Sequence, residues 1–121
     1  MKAILYSRYG SPDVLRLEDV PKPTPKNNEI RVRIHAASIN AADWHHLTAD
    51  MFLVRLFAGL FKPTHPILGA DIAGVVEATG KDVCHFKPGD EVYGDLSAHG
   101  NGGFAEFVSA PETAFALKPE N

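Results

Sequence analysis

Glu29-Ile-Arg-Val-Arg-Ile-His35 alternates without a break: Ile30, Val32 and Ile34 fall on one face, Arg31, Arg33 and His35 on the other. A period of two over seven residues marks a strand with one face in a core and the other in water. Upstream, Pro21-Lys-Pro-Thr-Pro-Lys-Asn-Asn28 is a connection that cannot sit in a central strand, because its prolines lack the ladder donor. Before it, Lys2 to Ser7 alternates, Gly10-Ser-Pro-Asp13 is a turn, and Val14 to Val20 alternates again. Downstream, Ile72 to Ala78, Asp90 to Tyr93, Gly103 to Ser109 and Ala114 to Leu117 are predicted strands. Thr79 to Asp82 is a turn, and Pro88-Gly89 suits the centre of a type II turn. Many short strands with Gly/Pro turns at close intervals predict a mainly β barrel or sandwich.

The one departure from strand pattern follows the central alternation. In Ile39-Asn-Ala-Ala-Asp-Trp-His-His46, Asn40 is placed as a helix N-cap, with Asp43 in the first turn, where the helix dipole favours a negative charge. The helix is predicted from Ala41 to about Ala49, and a second, amphipathic one from Met51 to Leu60. That second helix is too apolar to be solvated and is expected to serve as an interface or lid.

A chain of 121 residues holds one domain, and 45% hydrophobic with 22% charged residues is the composition of a globular protein, not of a disordered one. The net charge of −3 comes from interspersed signs, which gives nucleic acid or an anionic membrane nothing to hold. Cys84 is the single cysteine, so no internal disulfide forms and no cysteine-built zinc lobe is available. MKAILYSRYG alternates instead of running from a charged leader into an apolar stretch, and no secretory signal is expected. The most apolar window, Met51 to Phe61, is broken by Arg55 and is shorter than the ~20 residues of a membrane span. The expected location is the cytoplasm.

Two glycine patterns resemble nucleotide motifs and fail on context. Gly100-Asn-Gly-Gly-Phe-Ala105 fits G-x-G-x-x-A, but it leads into a predicted strand, not a helix, with no acidic residue at the required spacing. These glycines are expected to make a turn and admit close backbone approach. Gly80-Lys81 is followed by Asp82 where a phosphate loop needs Ser or Thr. His45 and His46 lie about 100° apart on a helix and do not share one metal easily; pairs such as Asp43 with His46 supply only two ligands. Cys84 sits beside His85 with no second Cys or His at metal spacing, and is read as a structural thiol.

The order of Gly10-Ser-Pro-Asp-Val-Leu15, Ser38-Ile-Asn-Ala-Ala-Asp43, Leu68-Gly-Ala-Asp-Ile-Ala-Gly-Val-Val-Glu77, Phe86-Lys-Pro-Gly-Asp-Glu-Val-Tyr-Gly94 and Gly102-Gly-Phe-Ala-Glu-Phe107 resembles the N-terminal, GroES-like domain of the medium-chain dehydrogenase/reductase superfamily. The resemblance implies a mainly β, partly open barrel with short helices. It makes residues 1–121 a catalytic domain whose Rossmann partner is absent from this chain, so that a fragment of a longer protein is expected. In the zinc alcohol dehydrogenases of that superfamily a cysteine stands at the position of Asn40 and a His-Glu pair at Ala70-Asp71. Neither an amide nor a methyl group replaces such a ligand. The four cysteines of the second zinc lobe are also missing, and no stoichiometric zinc is expected.

Asn40 followed by Asp43 is similar instead to the zinc-independent quinone oxidoreductase branch. That implies hydride transfer from NADPH, bound mainly by the missing Rossmann domain, to a small carbonyl, enone or quinone. Asn40 is the candidate hydrogen-bond donor and cofactor contact, and His45 a second donor or proton source. Many members of the branch carry a tyrosine at the position of His45, which leaves the substrate open. Asp43 and Trp44 are assigned to the pocket or its orientation, with no metal ligand among them. Full-length homodimerisation is compatible with the resemblance. The chain alone is expected to be inactive; the rival readings are a non-catalytic binding or scaffolding module and an alcohol dehydrogenase-like enzyme with an atypical metal site.

Overall fold

A computed structural model describes residues 1–49 and 65–120. The expected helix from Met51 to Leu60 lies outside the described residues. Among the described residues, seven strands form two sheets. β1 (Lys2–Leu5) and β2 (Arg16–Asp19) make an antiparallel pair. β3 (Glu29–Ala37), β4 (Asp71–Thr79), β5 (Glu91–Asp95), β6 (Phe107–Pro111) and β7 (Phe115–Leu117) form a five-stranded antiparallel sheet in the order β6-β3-β4-β5-β7. One α-helix, α1 (Ala41–Thr48), follows β3. The architecture is mainly β, in an open arrangement and not a closed barrel.

The alternation of the opening stretch is realised as anticipated. Ile30 and Val32 are fully buried, Ile34 packs against the same core, and Arg33 and His35 are exposed. With Ile72, Val76, Val92, Leu96, Val108 and Phe115 they form the main core on one face of the large sheet. A second cluster, Tyr6, Leu47 and Leu68, with Tyr9, Val14, Leu15 and Phe104 packed on it, fastens α1 to the N-terminal segment. Leu47 is thus the apolar side chain that anchors the helix.

Three boundaries differ from the sequence pattern. Pro12–Val14 is a 3-10 turn capped by the Ser11 side chain, with Pro12 in the first position its fixed φ favours, so β2 starts only at Arg16. The strand predicted from Gly103 is delayed to Phe107. Gly103 and Phe104 instead donate to Gly69 and Leu68 carbonyls (both 2.9 Å), and Ile4 donates to Phe104, so this segment spans two other segments outside the main ladder. Glu112–Ala114 is a 3-10 turn between β6 and β7. The turn at Pro88-Gly89 has the expected form: Asp90 donates to the Lys87 carbonyl at 3.1 Å and Gly89 has φ +97°.

Glu77 on β4 links three segments. It accepts from Lys22 Nζ in the proline-rich connection (2.6 Å) and from Arg31 Nε on β3 (3.0 Å), while Lys22 also stands over the Phe107 ring at 4.1 Å. The Lys22 hydrogen bond chiefly, then that of Arg31, holds the Glu77 carboxyl below its ordinary range. A carboxyl lowered on folding contributes stability above its unfolded pKa and loses it as pH falls through the folded value. Glu77→Gln is therefore expected to lower the neutral-pH melting temperature by a few degrees at most. The gap to wild type should close in acid, which paired thermal melts across the carboxylate range would check.

Candidate functional site

The register of the large sheet assembles the site. Antiparallel pairing sets Ala37 opposite Ile72, and Ser38 N–H bonds the Asp71 carbonyl at 3.1 Å. The end of β3 and the start of β4 therefore meet where α1 begins. Asn40 Nδ2 donates to Asp71 Oδ2 at 2.8 Å and to Ser38 Oγ at 3.3 Å, and Ser38 Oγ stands 3.4 Å from the same carboxylate oxygen. Three polar side chains thus form one hydrogen-bonded group on the rim of the sheet. It opens onto two grooves that share Asp71. One, of about 270 Å³, is lined by Ala36, Ala37, Ile72 and Ala73; the other, of about 460 Å³, by Tyr93, Asp95, Thr113 and Phe115 among others.

Asp43 is placed deeper. Among the described residues it is the buried charged side chain, 5% exposed. Its Oδ2 accepts from the Asn40 amide at 2.8 Å, closing a capping box, and its Oδ1 accepts from the Gly69 amide at 3.1 Å. One carboxylate therefore caps α1 and ties it to the Leu68-Gly69 segment. Gly69 is required there: its φ is +103°, and a Cβ would lie 2.8 Å from Gly103 Cα and from Phe104 N. The glycines of Gly100-Asn-Gly-Gly103 serve this approach, with φ +88° at Gly100, +61° at Asn101 and +110° at Gly102.

The remaining sequence candidates separate. Trp44 projects outward, half exposed. His45 is half-buried on α1, and its carbonyl accepts from Ala49, which ends the helix in the left-handed conformation. His46, not His45, lines a cavity of about 230 Å³ with Tyr6, His65, Ser97, Ala98, Gly100 and Asn101. The His46 Nδ1 bonds the Ala42 carbonyl at 2.7 Å, so Nδ1 carries the proton of that bond. Burial first, then Tyr9 and Asp43, pushes the Tyr6 phenol up to about 12, so it remains a neutral donor at physiological pH. Sequence reading passed over this cavity because Tyr6, His65 and Ser97 share no motif spacing. Asp71 as the partner of Asn40 was likewise hidden, since only strand register brings them together.

Metal donors gather elsewhere. Among the described residues the set whose donor atoms all lie within 4.8 Å of one another is Cys84, His85 and Glu112. No second Cys or His lies at metal spacing from Cys84 in the sequence; the third donor is a carboxylate from beyond β6. No described helix is long and apolar enough to cross a membrane.

Comparison with known proteins agrees with the fold. Residues 26–120 match the alcohol dehydrogenase GroES-like domain. A quinone oxidoreductase of Sus scrofa is 34% identical over 99% of this chain and 34% of its own length. A 2-methylene-furan-3-one reductase of Solanum lycopersicum is 37% identical over the whole of this chain and 31% of its own. The crystal structure of Escherichia coli quinone oxidoreductase complexed with NADPH superposes with a TM-score of 0.81 at 28% identity, covering 98% of this chain and 33% of that one. The chain thus spans about a third of the length of the relatives it matches. With a family match over most of its length and oxidoreductase relatives aligned over nearly all of it, the chain belongs to the alcohol dehydrogenase GroES-like domain family of the medium-chain dehydrogenase/reductase superfamily.

Proposed function

We propose that this chain is the substrate-side domain of a zinc-independent, NADPH-dependent oxidoreductase that reduces quinones or enones, and that it is inactive without a dinucleotide-binding partner domain. The observation that carries this reading is the Ser38–Asn40–Asp71 group at the mouth of two grooves. Its donor set does not suit a catalytic zinc. Asn40 turns N–H donors toward Asp71, and buried Ala70 offers only a methyl group. An acceptor oxygen has instead a polarising donor available. The 3.3 Å bond to Ser38 is the longer of the two Asn40 makes, and a substrate oxygen gathering charge would replace it while Asp71 keeps the amide aimed. His45, one turn into α1, is the proton source for the reduced product, and Trp44 with Ile39 supplies an exposed apolar rim beside it.

NADPH would supply the hydride, and the described residues suit only its nicotinamide end. The N-terminus of α1 is already closed by the Asp43 carboxylate, and the Gly100 turn leads into a strand, so neither offers a cradle for the pyrophosphate. A few hydrogen bonds around Asn40, each worth about 0.5–1.5 kcal/mol, reach the ~4 kcal/mol of millimolar binding. Titration calorimetry on the chain alone is expected to give no tighter NADPH affinity and no turnover. The longer protein, with its cofactor domain, should show NADPH-dependent quinone reduction. A micromolar constant for the chain alone would refute the division of labour, and an inactive longer protein would favour a scaffolding role.

A further inference from the structure

We propose that Cys84, His85 and Glu112 form a surface site for a divalent cation of the zinc class. The connection between β4 and β5 bends at His85, so two neighbouring side chains converge where a strand would send them to opposite faces. Glu112, the first residue of the 3-10 turn after β6, brings the third donor, and all three donor atoms lie within 4.8 Å of one another. The carboxylate is held in place by the backbone. His85 N–H donates to Oε1 at 3.0 Å and Cys84 N–H to Oε2 at 3.4 Å. The Glu112 amide is itself anchored on the Asn28 carbonyl at 3.1 Å. Each carboxylate oxygen keeps a lone pair for a cation, and hydrogen bonds of this kind orient ligating carboxylates in metal sites.

The donor types select the metal. A thiolate and an imidazole beside one carboxylate suit zinc, whereas magnesium and calcium take sets built from oxygen alone. Bond lengths of about 2.0–2.3 Å put tetrahedral donors roughly 3.5 Å apart, so the three must draw together by up to about an ångström. Binding expels the thiol proton and leaves a fourth position to water. With three ligands, and with Cys84 and His85 exposed, affinity is expected in the micromolar range. A bound cation would clasp the β4–β5 turn to the β6–β7 connection. The site is remote from Asn40: Asp71 begins β4 and the turn follows its other end, roughly 25 Å away by strand rise. The donor set at Asn40 and Ala70, poor for zinc, concerns that other place; a cation bound at Cys84 would run against the expectation of a zinc-free chain.

The test is a cobalt(II) titration of the chain, kept reduced by a phosphine. The expected result is one equivalent bound, with a thiolate-to-cobalt charge-transfer band displaced by zinc and a melting temperature a few degrees higher with zinc. Cys84→Ser should abolish the band, and Cys84→Ser and His85→Gln should each weaken binding at least ~tenfold, with circular dichroism unchanged. No band at stoichiometric cobalt would overturn the proposal. So would affinity indifferent to both substitutions, which would place the cation on other histidines.

Discussion

Asn40→Ser, in a protein that carries this domain with the proposed NADPH-dependent activity, is expected to lower kcat/KM about a hundredfold while leaving the melting temperature within a few degrees. Serine caps a helix as well as asparagine does, so α1 keeps its start. What is lost is the side-chain amide that Asp71 holds at 2.8 Å and whose N–H toward Ser38 an acceptor oxygen would take. A single well-placed donor to a developing oxyanion is worth about 3 kcal/mol of barrier, which sets the size of the effect. Steady-state kinetics beside a thermal melt separate the two roles of the residue. Unchanged turnover would reduce Asn40 to a cap. Asn40→Asp adds a second signature, because it sets a carboxylate against that of Asp71. Repulsion raises the folded pKa of the new carboxyl above its unfolded value, so this variant is destabilised at neutral pH. It should recover as pH falls through the raised value and the pair shares a proton.

The second large effect is expected at Asp43. Asp43→Ala should cost about 2–4 kcal/mol and drop the melting temperature by on the order of 10 °C. The carboxylate holds the Asn40 amide at 2.8 Å and the buried Gly69 amide at 3.1 Å. Its removal leaves one helix donor uncapped, worth about 1 kcal/mol, and takes away the partner of the buried Gly69 N–H. Asp43→Asn, whose oxygen still accepts one of the two bonds, should recover part of the loss. If Asp43 only positions α1, folded Asp43→Asn keeps the shape of the pH–rate profile. A shifted acid or basic limb would instead put the carboxylate in the chemistry.

What the sequence disclosed follows from what is local. Alternation in Glu29 to His35 placed Ile30 and Val32 in the core because side-chain period and burial are the same fact in a one-sided strand. Asn40 and Asp43 announced the helix start because a capping box lies within four residues. The glycines after Leu96 mark positions of close backbone approach, but nothing local shows that the Leu68-Gly69 segment is what they approach. The Asn40–Asp71 bond, the Tyr6–His46–His65 cavity and the Cys84–His85–Glu112 cluster were all out of reach. Each joins residues through strand register or chain bends, and no short window contains that information. The delayed start of β6 had the same cause: residues from 103 to 106 have a strand's pattern, but their partners are Leu68, Gly69 and β1, and β3 is reached only at Glu106, which accepts from Ile34.

The strand order also sets a timetable for biosynthesis. β3 lies between β4 and β6, and its pairing of Glu29 with Pro111 joins positions separated by most of the chain. β1 likewise waits for its bridge from Ala3 to Ala105. As the polypeptide leaves the ribosome, β3 and β4 can pair early, but one long edge of β3 stays bare until β6 has been made. Loop-closure entropy must be met before those distant contacts reward it, so folding in the millisecond-to-second range is expected, not the microseconds of a helical bundle. During that interval Ile30 and Val32 are exposed on an unpaired edge, and the nascent domain is most open to capture by a chaperone or by another copy of itself.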